Sequence, residues 1–318
     1  MKLIDSSVEF LGEVPTSIPA ALRFIERVTR TCYKSENKIT PTSALPFIKS
    51  RLLKPNPKHT AMLEHSNFVV KIRNTGPLSD KIIDDLTRPE GKHLRYHIQR
   101  STIPGEPATV YIGGNYTAWY NLTKHVRRDD FVGLVPEYYR PFLEIFAEIF
   151  GYTLYGKNVS EIEPNYYSAV VCHEEEIPSA LRRYSAKFIC DTGVSHELVR
   201  HRNHSYAQES TRYCDYTNLG IQFIRPADYA RWGLAARWAL YLGLVGCAIS
   251  YKVLRFLGLA PQKARAVLPK ALKTEVYATG YLSDWKHLLK LRTGAGAHPD
   301  FRKLAIILKT QMMREGVM

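Results

Sequence analysis

The sequence contains few cysteines, and none of them form the close pairs that cross-link small secreted proteins. The five thiols are odd in number, widely spaced and never arranged as C-x-x-C. Such a set argues against a disulfide framework and against a zinc ribbon. We therefore expect reduced thiols that are mostly buried.

Long uninterrupted apolar runs are also missing. The longest candidate, residues 238–253, contains Gly243, Gly246, Ser250 and Lys252, so no segment is expected to span a membrane. The opening residues MKLIDSSVEF lack the apolar core of a signal peptide. These absences predict a cytoplasmic protein that has no membrane partner.

Acidic residues are in short supply, since 30 Asp and Glu oppose 44 Lys and Arg and leave a formal net charge of +14. Residues 251–318 alone hold 13 basic and 4 acidic side chains. Residues 195–215 differ, because three arginines there meet three acids. A nonspecific nucleic-acid surface would show uncompensated Lys and Arg, so the balanced segment suits a small anionic ligand better. We expect no nucleic-acid partner, although the basic tail and twenty tyrosines leave a non-enzymatic nucleic-acid binder as an alternative.

Hydrophobic periodicity predicts a mixture of helices and strands. Helices are expected at 18–30, 43–54, 137–150, 226–243 and 245–258, in a short stretch after residue 191, and from about residue 299; strands are expected at 68–72 and 184–190.

One further predicted helix carries a cation on its apolar side. Ser283 is a plausible N-cap for a helix that begins at Asp284, and Trp285 starts its buried stripe. Arg292 lies seven residues after Trp285 and so falls on the same stripe. A buried cation needs a partner, which predicts either an internal salt bridge or an anionic ligand. Arg265, just before a Leu-Pro pair, is a second candidate of this kind.

The most informative segment is RHRNHSYAQESTRY, residues 200–213. Its arginines offer planar forks of donors that match phosphate geometry. Its hydroxyl groups and Gln208 add donors and acceptors for a ribose or a base edge. This mixture favours a site that binds an anion and a flat heteroaromatic ring together.

The same segment resembles a known family. Arg200-His201-Arg202, followed after seven residues by Ser210, resembles the signature of the flavin-dependent thymidylate synthases, and Arg212 fits as well. Three further matches are the HLLKLR sequence that ends at Arg292, Arg265 before its Leu-Pro pair, and the Glu-His pair at 64–65. The resemblance covers about 59–72, 186–218 and 261–305, with a fainter match at 31–36 (TCYKSE), and leaves 74–185 unexplained.

The resemblance implies a fold, an assembly and a reaction. The fold would be α/β (mixed α+β), with a sheet, packed helices and a large insertion at about 74–185 in a single domain over 1–318, and the assembly would be a homotetramer. The reaction would be reductive methylation of dUMP to dTMP. In it 5,10-methylenetetrahydrofolate supplies the carbon, FAD carries the hydride and NADPH is the reductant. A related flavin enzyme that adds a hydroxymethyl group stays open.

The resemblance also assigns residues to ligands. FAD would contact His59, Glu64, Arg200, His201, Arg202, Asn203 and His287. The nucleotide dUMP would contact Glu197, Gln208, Glu209, Ser210, Thr211, Arg212, Arg265 and Arg292. Arg292 would be the catalytic residue, because its cation would polarise the uracil ring as negative charge develops. Gln208 stands where the family more often has Glu, and Tyr281 and Ser283 stand where Asn and Arg often bind the flavin.

The residues also suggest two rival chemistries. HELVRH resembles the zinc motif H-E-x-x-H, but His196 and His201 are five positions apart, which would turn the two imidazoles away from each other on a helix. No metal is therefore expected. Cys214 follows Arg212-Tyr213, which could lower the pKa of its thiol and make it a nucleophile, while a packing role is the alternative.

Overall fold

The computed structural model describes residues 1–54, 60–73, 94–100, 109–119 and 168–318. Within these residues helices and strands are mixed, which confirms the predicted fold class. The helix expected at 137–150 and the candidate ligand His59 lie outside the described residues.

The strands of the described residues are β1 (Lys2–Ile4), β2 (Ser7–Glu13), β3 (Phe68–Arg73), β4 (Arg95–Gln99), β5 (Thr109–Gly114), β6 (Ser168–Val171), β7 (Arg183–Asp191), β8 (Ser205–Gln208), β9 (Gln222–Ile224) and β10 (Lys273–Tyr281). The α-helices that lie wholly within the described residues are α1 (Ile18–Tyr33), α2 (Ala44–Ile48), α3 (Thr192–Leu198), α4 (Tyr216–Leu219), α5 (Leu234–Phe256), α6 (Pro261–Ala264), α7 (Leu282–Arg292) and α8 (Pro299–Arg314).

The chain divides into two compact units. The central unit comprises residues 13–26 and 40–183, and the C-terminal unit comprises residues 1–12, 27–39 and 184–318. The assignment of 1–318 to a single domain with an insertion at 74–185 stays a prediction.

The central unit contains an antiparallel sheet in the order β4-β5-β3-β6. Alternation predicted β3 correctly, yet Phe68 through Ile72 are all buried, so both faces of this strand are covered. The indole of Trp119 packs on Phe68 and donates a hydrogen bond to its carbonyl oxygen at 3.1 Å. The helix predicted at 43–54 is present as α2 followed by a π-helical turn at Lys49–Leu53.

The C-terminal unit contains a sheet in the order β2-β7-β10-β8, beside a parallel pair of β1 and β9. All nine residues of β10 are buried, as expected for a strand inside a sheet. Helices α7 and α8 join the core of this unit through the apolar stripes that the sequence predicted. Those stripes are Trp285, Leu288 and Leu289 in α7, and Phe301, Leu304, Leu308 and Met312 in α8.

Two predicted helix boundaries were wrong. The helices expected at 226–243 and 245–258 form one continuous helix, α5, which runs through Gly243 and Gly246. An internal glycine costs only about 1 kcal/mol against alanine, which a helix of 23 residues tolerates. Helix α7 begins at Leu282 with Tyr281 as its N-cap, not Ser283, because the Asp284 carboxylate accepts a hydrogen bond from the Tyr281 amide.

Helix α5 also corrects the expectation about apolar runs. Among the described residues it is long and apolar enough to cross a membrane, with a mean hydropathy of 1.4 over an 18-residue window that is 17% buried. Length and composition alone do not separate a membrane span from a helix that packs on another protein surface.

Candidate functional site

Two neighbouring strands of the C-terminal sheet lead into the helices that carry the candidate residues. β7 ends at Asp191, whose carboxylate caps α3 by accepting a hydrogen bond from the Val194 amide at 2.9 Å. β10 ends at Tyr281, the N-cap of α7. The RHR segment follows α3 directly, and Arg292 is the last residue of α7, so the fold brings the two motifs together.

A cavity of about 330 Å³ lies where these motifs meet. It is lined by Arg200, His201, Arg202, Asn203, His204, Asp284, His287, Leu291 and Arg292. Six of these nine residues were assigned to ligands from the sequence. A volume of this size suits a ring system with its substituents.

Arg292 is held by two partners from the other motif. Its Nε donates to His201 Nε2 at 3.0 Å, and one of its terminal nitrogens donates to the Glu197 carboxylate at 2.6 Å. The guanidinium also lies over the Phe301 ring, 4.8 Å from the centroid. The predicted salt bridge is therefore present, and the predicted ligand contact of Arg292 stays a prediction.

His201 is a neutral acceptor at physiological pH. Burial first, and then the positive charge of Arg292 and the neighbouring His287, lower its pKa to about 4. Because Nε2 accepts from Arg292, the proton of the neutral ring sits on Nδ1. Arg292 is therefore a fixed cation that lies directly beside an uncharged imidazole.

Sequence reasoning missed three lining residues: the apolar Leu291 and the polar Asp284 and His204. Asp284 accepts a hydrogen bond from the Asn203 amide at 3.3 Å, in addition to its capping bond. His204 is buried edge-on against Trp285, with ring centroids 4.5 Å apart. A Cβ atom on Gly280 would come within 2.6 Å of the His204 ring, so this glycine gives the imidazole its space. The sequence did offer a signal for Asp284, because a carboxylate at the third position of a helix commonly caps the helix start.

The predicted nucleotide contacts form a second group in the same unit. The Gln208 amide donates to the hydroxyl groups of Ser195 and Thr274 at 3.0 and 3.1 Å. Arg265 donates to the Thr211 hydroxyl at 2.9 Å across 54 positions of sequence.

Two other members of this group have partners nearby. The Arg212 amide donates to the Ser210 hydroxyl at 3.3 Å, and the Arg212 guanidinium donates to the side chain of Gln262 at 3.2 Å. The guanidinium of Arg212 is exposed and so accessible to an anion.

Two assigned residues sit in other surroundings. Glu209 is buried and accepts hydrogen bonds from Lys273 and Tyr216 at 2.9 and 3.0 Å. Glu64 belongs to the central unit, where its carbonyl oxygen accepts from Arg183 at 2.6 Å. Their assigned ligand contacts stay predictions.

Cys214 does not have the lowered thiol pKa that a nucleophilic role would need. Burial, followed by the nearby charge of Glu209, raises the pKa of the Cys214 thiol to about 11, so the lowering expected from Arg212 is wrong. All five thiols are free, and four are buried, as predicted. Within the described residues, no three His, Cys, Asp or Glu side chains are placed to hold a metal ion.

Comparison with known proteins shows to which family the chain belongs. A family model described as thymidylate synthase complementing protein matches residues 153–315, just over half of the chain. The chain belongs to this family. The matched region contains the RHR segment and Arg292, which meet at the cavity, and also Arg265.

Relatives in this family are similar to part of the chain. The flavin-dependent thymidylate synthase of Geobacter sulfurreducens is 32% identical over 113 residues, which cover 36% of this chain and 48% of that protein. The enzyme of the same name from Mycobacterium tuberculosis is 33% identical over 150 residues, covering 40% and 57%. The chain thus spans about half the length of the curated relatives it matches.

A solved structure resembles the chain more distantly. A UMP/dUMP methylase, PolB, from Streptomyces cacaoi bound with 5-Br dUMP is 24% identical, with a TM-score of 0.34, over 42% of this chain and 66% of that one. At this score the likeness adds nothing to the assignment.

Proposed function

We propose that this member of the thymidylate synthase complementing protein family is an enzyme, a flavin-dependent methyltransferase that converts dUMP to dTMP. Its carbon donor would be 5,10-methylenetetrahydrofolate and its reductant NADPH. The observation that carries the proposal is the contact between His201 of the RHR segment and Arg292, 91 positions apart, at one cavity.

The residues around the cavity fit FAD by their chemistry. Arg200 and Arg202 are exposed cations whose forks match phosphate oxygens, and Asn203 and His287 offer polar contacts for a ring edge. When bound, FAD would supply the hydride for the reductive step. The protein's part is to hold and orient the ring system beside Arg292.

The second group of residues fits a nucleotide monophosphate. Ser210 and Thr211 would offer hydroxyl donors, and Arg212 and Arg265 would neutralise the phosphate. Arg292 would stabilise negative charge on the uracil ring, an electrostatic role that needs a fixed cation. Because His201 is neutral, it adds no second positive charge beside Arg292.

We further propose that the protein assembles as a homotetramer in the cytoplasm. Support comes from the exposed apolar side chains along α5: Leu234, Trp238, Leu242, Ile249 and Phe256 are each at least 57% exposed. A face this apolar favours burial against another protein surface.

The first experiment is a visible absorption spectrum of the purified protein, followed by tritium release from dUMP labelled at carbon 5. A flavin band together with release that depends on NADPH and folate would support the proposal. Mass spectrometry of the product would then separate a methyl from a hydroxymethyl group. If FAD neither co-purifies nor binds when added, the proposed activity fails.

A further inference from the structure

A buried cluster of charged residues underlies the proposed nucleotide segment. We define the lysine–glutamate cluster as Lys34, Lys187, Glu209, Lys273 and Glu275. The Glu209 side chain is 1% exposed, and one of its oxygens lies 2.9 Å from Lys273 Nζ and 3.4 Å from Lys34 Nζ. Its other oxygen accepts the Tyr216 hydroxyl at 3.0 Å. Both carboxylate oxygens of Glu209 are therefore engaged inside the protein.

The second carboxylate ties the three lysines together. Glu275 accepts from Lys187 at 2.7 Å and also contacts Lys34 and Lys273. Burial acts to raise the pKa of Glu275, but the hydrogen bonds from the three lysines outweigh it and hold that pKa at about 2. Three cations thus surround two anions, an excess of one positive charge, and the loss of either carboxylate would increase that excess to two.

Backbone hydrogen bonds also hold the chain at Glu209 and Ser210. The Glu209 amide donates to the Glu275 carbonyl oxygen at 2.8 Å, and the Ser210 amide donates to the Cys32 carbonyl oxygen at 2.9 Å. Lys34, two residues after Cys32, has a φ of 50°, a left-handed conformation that is uncommon for a side chain other than glycine. The packing holds Lys34 in this conformation, and its ammonium group reaches both carboxylates.

The position of Glu209 in the sequence connects the cluster to the site. Its neighbours Gln208 and Ser210 are half-buried and belong to the proposed nucleotide contacts. Side-chain donors bind an anion tightly when their backbone is already ordered, because little conformational entropy is then lost on binding. An anchored Glu209 would provide this order for the residues on either side of it.

We propose that Glu209 is a positioning residue for the nucleotide, which it does not touch. Its bonds to Lys273 and Tyr216 hold the Gln208–Arg212 segment in the conformation that binds dUMP. This inference rests on the proposed function, and it replaces the direct substrate contact that the resemblance implies for Glu209.

A double-mutant cycle on dUMP binding tests the inference. The variants are Glu209→Gln, Lys273→Met and the two combined, each assayed for the KM of dUMP, for kcat at saturating dUMP, and for the Kd of FAD. Each single change is expected to raise the KM for dUMP about tenfold, with kcat and FAD binding nearly unchanged. The double variant should be no worse than the worse single variant, because both changes break the same anchor.

Other outcomes overturn the inference. If the two changes multiply in the KM for dUMP, or if Lys273→Met leaves that KM unchanged, Glu209 acts on the nucleotide by itself. If dUMP and FAD binding fall equally, the cluster supports the whole fold and not this segment. Failure of wild-type protein to bind FAD and dUMP would instead refute the proposed function, and with it the inference.

Two additional variants protect the test against misfolding. Tyr216→Phe removes a single hydrogen bond from the same carboxylate and should raise the KM for dUMP in the same direction but less, by about threefold; an unchanged KM in a folded Tyr216→Phe variant contradicts the anchor. Asp5→Asn is the matched control, since it breaks the exposed ion pair with Arg225 in the same unit and should leave every constant unchanged.

Discussion

At the scale of single residues, the site depends on how one cation is held. Arg292 donates to an uncharged imidazole and to one carboxylate, that of Glu197. These contacts orient the guanidinium without a second positive charge at its side. The residue can therefore act on an electron-rich ring, as the proposed reaction requires.

Replacing this cation should affect turnover more than cofactor binding. Arg292→Ala is expected to lower kcat by about two to three orders of magnitude, because a preorganised electrostatic contact to the reacting ring is lost. FAD should stay bound, as the visible spectrum would show. Lys290→Ala, an exposed cation on the same helix, is the control. Wild-type turnover in Arg292→Ala would remove the catalytic role from this residue.

His201 should make stability depend on pH in a defined window. Its pKa is about 4 in the folded protein and about 6.5 in the unfolded chain, so the unfolded chain takes up the proton first as the pH falls. Stability is therefore complete above pH 6.5 and falls between pH 6.5 and 4. The melting temperature of wild type should drop across this window more steeply than that of His201→Gln. Parallel curves for the two proteins would contradict a depressed pKa.

At the scale of elements, periodicity predicted helices and strands well where one face packs on a core. Helix α8 and strand β7 bury the residues that their predicted periods place on one face, whereas β3 is buried on both faces. Errors arose where local signals compete. Two glycines suggested a break in α5, but hydrogen bonding along 23 residues outweighs their propensity.

The continuity of α5 can be tested at one of those glycines. Nothing lies within 4 Å of a Cβ placed on Gly243, so Gly243→Ala should raise the free energy of unfolding by about 0.5–1 kcal/mol. Gly258→Ala is the contrasting control, because its φ of 84° disfavours alanine and should make that variant less stable. Urea denaturation of both variants and of wild type would measure these changes in the free energy of unfolding. Destabilisation by Gly243→Ala would argue for a break or a close contact at this point.

At the scale of the whole molecule, the exposed apolar face of α5 implies a partner surface. Trp238 and Leu242 are 61% and 62% exposed, which is costly in water for side chains so large. The homotetramer would bury this face, and a membrane is the competing environment.

A charge on this face should break the assembly. Leu242→Glu is expected to lower the mass measured by light scattering from a tetramer to a smaller species, because a buried carboxylate without a partner is unfavourable. Lys309→Glu, at an exposed position of α8, is the control for charge alone. A wild-type protein that is monomeric, or that needs detergent to stay in solution, would refute the proposed assembly.

The sequence by itself determined where most helices and strands lie and to which family the chain belongs. Helix and strand periods depend on neighbours in the chain, and the RHR segment, Arg265 and Arg292 stand in one line of sequence with characteristic spacing. Only the tertiary structure decided which side chains meet. The pairing of Glu197 with Arg292, the lining role of Asp284, and the burial of Glu209 among lysines join residues that are far apart in the chain. The desolvation and charge that shift a pKa arise from those spatial neighbours, so no local pattern in the sequence could specify them.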